Sequence, residues 1–167
     1  MNAAGVSEGE SAEELPDGDA CFDRLTDEIL QRVREACDGG DRWPERVRAG
    51  LSVLLAEVVA HPTMAAVVTR TFPAIGPAAY MRYTAFVSRF AALMQEGREY
   101  SGVGDELPSE VELLAVGSAE SVIFHEIDAG RTGDLPEMMP EILFSILAPF
   151  IGPERAAEEM RQATAPS

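Results

Sequence analysis

The amino-acid sequence predicts an all-α protein, a bundle of about seven helices, from three observations. Its apolar residues recur at steps of three and four through successive stretches, the rhythm of one helix face, and no stretch alternates strictly as a half-buried strand does. Glycine and proline fall between those stretches, at Gly39 and Gly40, Pro62, Pro73 and Pro77, Gly130 and Gly152, where helices stop. The 167 residues, 46% of them hydrophobic, suffice for one domain with its own core.

Residues 1 to 20 hold six acids (Glu8, Glu10, Glu13, Glu14, Asp17 and Asp19), no base, and little apolar surface beyond Val6 and Leu15. Such a segment cannot offset its ordering entropy and is expected to be disordered, which leaves residues 21 to 167 as the folded domain. A first helix is expected over residues 20 to 37, with Phe22, Leu25, Ile29 and Val33 on one face. Asp41 is placed to cap a second, in which Val47, Leu51, Leu54, Leu55 and Val58 form the buried stripe, and Pro62 pushes His61 out of the helical region. Thr63 then caps a short helix over 64 to 71, and the prolines at 73 and 77 break the chain again.

Residues 78 to 96 read as a long helix, with Tyr80, Tyr83, Phe86, Val87, Phe90, Leu93 and Met94 inward and Arg82 and Arg89 outward. Residues 97 to 108 read as a polar loop, after which Ser109 and Glu112 have the spacing of a capping box that opens a helix to about residue 129. The middle of that helix, Val116-Gly117-Ser118-Ala119-Glu120-Ser121, is rich in small residues and lets another backbone approach. Over residues 135 to 151, Leu135, Met138, Met139, Ile142, Leu143, Ile146, Leu147, Phe150 and Ile151 make an apolar arc that Phe144 and Ala148 widen further. One neighbour cannot cover an arc that wide, so it is read as facing both an intramolecular core and a second subunit, with a wholly intramolecular core as the alternative. Pro140 predicts a bend there, and a last acidic helix is expected from Pro153 to about residue 162.

Thirteen basic residues, all arginine, face twenty-nine acids for a net charge of -16, which disfavours binding of nucleic acid by this chain alone. No apolar run reaches the roughly 18 residues of a membrane span and no signal-peptide pattern opens the chain, so a cytoplasmic protein with no membrane partner is expected. Cys21 and Cys37 lack ligand partners or a CxxC spacing and read as free thiols. His125-Glu126 begins like a zinc-binding HExxH, but Ala129 stands where the second histidine is needed. Glu120, Phe124 and Asp128 share a helical face that reads as solvated rather than metal-binding. No nucleophile with a base and no phosphate-binding glycine loop can be assembled, so no enzyme, cofactor or metal is expected. The Tyr80, Tyr83, Phe86, Phe90 and Met94 stripe reads as core or, with Met64, Val68, Phe72 and Phe124, as the wall of an apolar cavity in which Tyr80, Tyr83 and His125 orient a small molecule.

The order of helices, with LPEMMPEILFSILAPFIG at 135 to 152 and the His61-Pro62 pair, resembles the C-terminal regulatory domain of TetR-family transcription regulators over residues 20 to 162. Ala4-Gly5-Val6-Ser7-Glu8-Gly9 is similar to the turn before that family's recognition helix, and Pro16-Asp17 and Asp19-Ala20-Cys21-Phe22 fall where the family links its DNA-reading module to the regulatory domain. Glu10, Ser11 and Ala12 depart from the threonine, apolar or aromatic residue and tyrosine usual there, Leu15 stands for a phenylalanine, and the two helices before the turn have no counterpart. The chain is therefore read as a fragment of a regulator or as one whose DNA-binding half has decayed, with 1 to 20 a remnant of the helix-turn-helix.

The resemblance implies a TetR-like bundle that binds a small apolar effector in a helical cavity and forms a homodimer through its last long helices. Val116, Gly117, Glu120, Met139, Ile142, Leu143, Ile146, Leu147 and Phe150 are the expected interface. DNA becomes a partner only with a helix-turn-helix upstream. The alternative is a stand-alone interaction protein that pairs with full-length relatives and blocks their DNA binding.

Overall fold

A computed structural model describes residues 16–164, and every regular element among them is helical. Helix α1, Pro16–Cys37, doubles back along α2, Trp43–Ala60. The two approach closely because position 50 is glycine: a Cβ there would sit 2.6 Å from Cys37 Sγ. The start of α2 is held by Arg42 in place of Asp41, its backbone N–H and its Nε both donating to the Glu45 carboxylate, at 3.3 and 2.8 Å. Its end follows the sequence, with His61 at φ −131° before Pro62.

Helix α3, Pro62–Ala66, widens at once into a π-type turn over Val67–Thr71, where the Phe72 N–H reaches back five residues to the Val67 carbonyl at 2.8 Å. The single short helix expected over 64 to 71 is thus two pieces. Helix α4 spans Pro77–Leu93, α5 Glu96–Ser101, α6 Val111–Asp128, α7 Leu135–Ile151 and α8 Pro153–Thr164. Gly152, at φ +80°, supplies the left-handed turn that folds α8 back onto α7.

Three boundaries differ from expectation. The division at residue 20 falls inside α1, because Pro16 to Ala20, assigned to the acidic remnant, are its opening turns. Residues 1 to 15, including the turn at Ala4 to Gly9, lie outside the described residues. The loop expected over 97 to 108 contains α5, and it is pinned by one side chain. Arg98 donates to both oxygens of Glu112 and to the carbonyls of Pro108 and Ser109, at 2.7 and 3.0 Å. The capping box therefore does not form: the Glu112 carboxylate is committed to Arg98, and Glu110 occupies the N-cap of α6. That guanidinium holds Glu112 below the usual carboxylate range, against the opposing effect of burial.

The apolar arc of helix α7 is covered by its own chain, which leaves Glu137, Glu141 and Pro149 in solvent. It packs against α2, α5, α6 and α8, and Leu135, Ile142, Leu143, Ile146, Leu147, Phe150 and Ile151 are buried. The Phe150 ring meets Trp43 edge to face at 5.0 Å, and α5 fits over both only because residue 97 is glycine, where a Cβ would lie 2.5 Å from the Trp43 ring. Arg42 clamps Glu159 of α8 at 2.7 and 3.2 Å. The buried Glu126 carboxylate at the end of α6 accepts two bonds from Arg131, both at 2.9 Å.

A second, smaller apolar cluster forms between α1, α4 and the turn after α3. In it Phe22 stacks on Phe72 at 3.9 Å, with Val68, Ala79, Tyr83 and Phe86 around them. Helix α4 joins this cluster, leans on α1 and α6, and so closes a ring of helices in the order α1, α2, α7, α6, α4.

Truncating fully buried Leu147 to alanine is expected to cost about 2–5 kcal/mol in urea unfolding. Gly97→Ala, although alanine is the better helix former, is expected to cost about 1–3 kcal/mol because two core rings must move. Because the folded carboxyl of Glu112 titrates below its ordinary 4.5, the Arg98 contact adds stability above that pH and loses it as pH falls further. The urea midpoint of Arg98→Met is therefore expected to change less on acidification than that of the wild type, and equal acid sensitivity would count against the pair.

Candidate ligand cavity

The ring of helices surrounds a cavity of about 430 Å³, open to solvent on one side, in the space between the two apolar clusters. Its floor belongs to the main core, from Leu51 and Val58 of α2, Ala119, Ile123 and Ile127 of α6 and Ile146 of α7. Its opposite wall belongs to α4, with Tyr83, Phe86, Val87 and Phe90, while α1 supplies Leu25, Ile29 and Val33. Helical spacing explains each wall: residues three, four and seven apart share a face, and each of these helices turns one such face inward. Its size and apolar lining are those of a site for a small organic molecule.

Polar groups in the lining are few, and most of them are paired. Across the cavity the Tyr83 hydroxyl donates to Glu120 Oε1, joining α4 to α6. Burial first, and the Glu120 carboxylate second, push the Tyr83 phenol well above its ordinary pKa of 10.0. Glu120 is half-buried and its Oε2 has no partner among the described residues. At the rim, Arg32 of α1 donates to Glu57 of α2 at 2.5 Å, with His61 Nε2 3.9 Å from the other Glu57 oxygen and Glu28 alongside. Met64 and Phe124 stand at the edge, 40% and 37% exposed. Burial and the neighbouring Asp38 raise the pKa of the Cys37 thiol, which makes it a poor nucleophile.

The structure brings together Met64, Val68, Tyr83, Phe86, Phe90, Met94 and Phe124, all expected to line a cavity. It separates the other three. Phe72 is buried in the smaller cluster against Phe22, Tyr80 stands 57% exposed one residue round the helix from the inward face of α4, and His125 lies exposed on the outer face of α6. The expected interface is corrected more heavily. Ile142, Leu143, Ile146, Leu147 and Phe150 are sealed in the core of a single chain, because four neighbouring helices share the wide arc of α7.

Val116 and Glu120 line the cavity, Met139 is half-buried against the core, and Gly117 alone of the set faces outward with open space where a Cβ would be. Glu120 was also not expected in a ligand site, and the face it shares with Phe124 and Asp128 is divided. Asp128 pairs with Arg70 at 2.7 Å in solvent, while Glu120 turns inward. The signal was present in the sequence as a carboxylate interrupting the apolar run Val116, Ala119, Ile123 and Ile127.

Among the described residues no group of three His, Cys, Asp or Glu is placed to hold a metal ion, and no single helix is long and apolar enough to cross a membrane. No protein-family model, curated protein or solved structure matches the chain.

Tyrosinate absorbance across an alkaline titration checks the central pair. Because the folded phenol titrates above its ordinary value, its contribution to stability is present below pH 10.0 and lost as pH rises through the folded value. The component that ionises last is expected to disappear in Tyr83→Phe. Its persistence would show that Tyr83 is not the shielded phenol.

Proposed function

We propose that this chain is the effector-sensing and dimerisation domain of a TetR-like transcription regulator. The observation that carries the reading is the apolar cavity with one hydrogen-bonded polar pair inside it, held within a ring of helices. The ring also supplies a route for a response. Helix α4 forms one wall of the cavity and is tied to α1 by ion pairs in solvent, Arg82 to Asp19 at 3.2 Å and to Asp23 at 2.7 Å, and Arg89 to Asp27 at 2.5 Å. A molecule that displaces α4 therefore displaces α1, the helix that in a TetR-like regulator leads from the DNA-reading module.

The dimer surface we propose is not the α7 arc but the outer face of α6. Leu113, Leu114, Gly117, Ser121 and Phe124 follow helical spacing along it, with Leu114 63% exposed. No contact among the described residues requires a glycine at position 117, and a glycine there keeps the surface shallow enough for a second α6. The acidic balance of the chain favours a second reading, a partner that pairs with full-length relatives and prevents their binding to DNA.

Sedimentation at micromolar concentration is expected to give a dimer that Leu114→Glu converts to a folded monomer; a wild-type monomer would remove the dimer reading. Subunit exchange with a full-length relative on mixing separates the second reading from the first. The neutral fluorophore N-phenyl-1-naphthylamine is expected to bind saturably, with one site per chain, and to lose affinity on order of tenfold or more when Val116→Phe narrows the cavity.

A further inference from the structure

We infer that the cavity is shaped for an organic cation, a small molecule with an apolar body and a protonated nitrogen that donates to Glu120 Oε2. The inference deepens the ligand-site reading and rests on it.

Three features of the lining converge on that chemistry. Glu120 is the only ionisable group among the described residues that projects from α6 into the cavity lining, and Tyr83 occupies just one of its oxygens. The half-buried carboxylate keeps one oxygen without a protein donor among the described residues, and a protonated nitrogen gives that oxygen a charge-assisted bond that the apolar surroundings strengthen. The Tyr83 hydroxyl fixes the carboxylate in place, so little freedom is lost when the ligand docks.

The second feature is aromatic. Tyr83, Phe86, Phe90 and Phe124 line the same space, with Phe86 and Phe90 edge to face at 5.2 Å, and the electron-rich faces of such rings attract cations. The third is the balance of charge. Glu28, Glu57 and Glu120 line the cavity and its rim against Arg32, which is already held by Glu57, and the chain carries -16 overall. An anionic ligand would meet repulsion at the rim and again at Glu120, and a neutral one could give Oε2 a hydrogen bond but would leave the carboxylate charge uncompensated.

Three ligands of one size and different charge test this: 1-naphthylmethylamine, 1-naphthylmethanol and 1-naphthoate, titrated calorimetrically into the full chain near neutral pH. The amine is expected to bind at least about tenfold more tightly than the alcohol, with the carboxylate weakest. In Glu120→Gln the amine is expected to lose its advantage over the alcohol, and saturable binding of the alcohol at one site per chain shows that the cavity is still present. Tyr83→Phe, which frees the second oxygen without removing the charge, is expected to keep the preference for the amine.

Equal wild-type binding of amine and alcohol, tighter binding of the carboxylate, or a preference for the amine that survives in Glu120→Gln would overturn the cation inference while leaving the cavity as a ligand site. Failure of all three ligands to bind the wild type would overturn both.

Discussion

The structure depends on the burial of the wide apolar arc of α7. An apolar arc that wide demands several neighbours, and α2, α5, α6 and α8 each supply one face. Gly97 is a place where a side chain would collide with the packing that this demand produces, against Trp43 and Phe150. Four helices gathered around one leave α4 without a place at the centre. It docks instead on α1 and α6 at the periphery, builds its own small aromatic cluster with Phe22 and Phe72, and leaves a gap behind it. The cavity is therefore a consequence of how the core is filled, and its apolar lining is the inner face of helices that would otherwise meet.

A gap of that kind destabilises a protein unless something offsets the lost contacts. The Tyr83 to Glu120 bond joins the two walls across the cavity, and two polar groups that would each be expensive alone satisfy one another in part. It also gives the cavity direction: one oxygen is committed, the other open. A wholly apolar lining would bind by size and shape, whereas a fixed carboxylate selects by charge and hydrogen bonding.

The wall made by α4 is the weakly held part of the bundle. Its ties to α1 are one small buried cluster around Phe22 and ion pairs in solvent, the latter of a kind worth about 0–1 kcal/mol each, while α7 is held by a much larger set of buried side chains. Segments that respond to ligands come from the less stable end of a structure because their displacement must cost no more than binding supplies. An acidic α1 pinned by two arginines of α4 fits that requirement.

The helical class and the bounds of α2 and α7 were legible in the sequence, because a face repeating every three or four residues and the prolines and glycines that end it are local properties. So was most of one cavity wall, since Tyr83, Phe86 and Phe90 lie on a single face of one helix. Helical periodicity marks a buried face without naming what buries it, because the hydrophobic effect has no direction. Hence the arc of α7 could be assigned in part to a second subunit, and only the packed chain shows it divided among four helices. The same limit hid the Glu112 to Arg98 and Glu120 to Tyr83 pairs: each carboxylate had a plausible local role, as a cap or a solvated charge, and took a partner from elsewhere in the chain. The sequence by itself determined which residues turn away from water; tertiary structure alone decided which of them meet and where they leave a space.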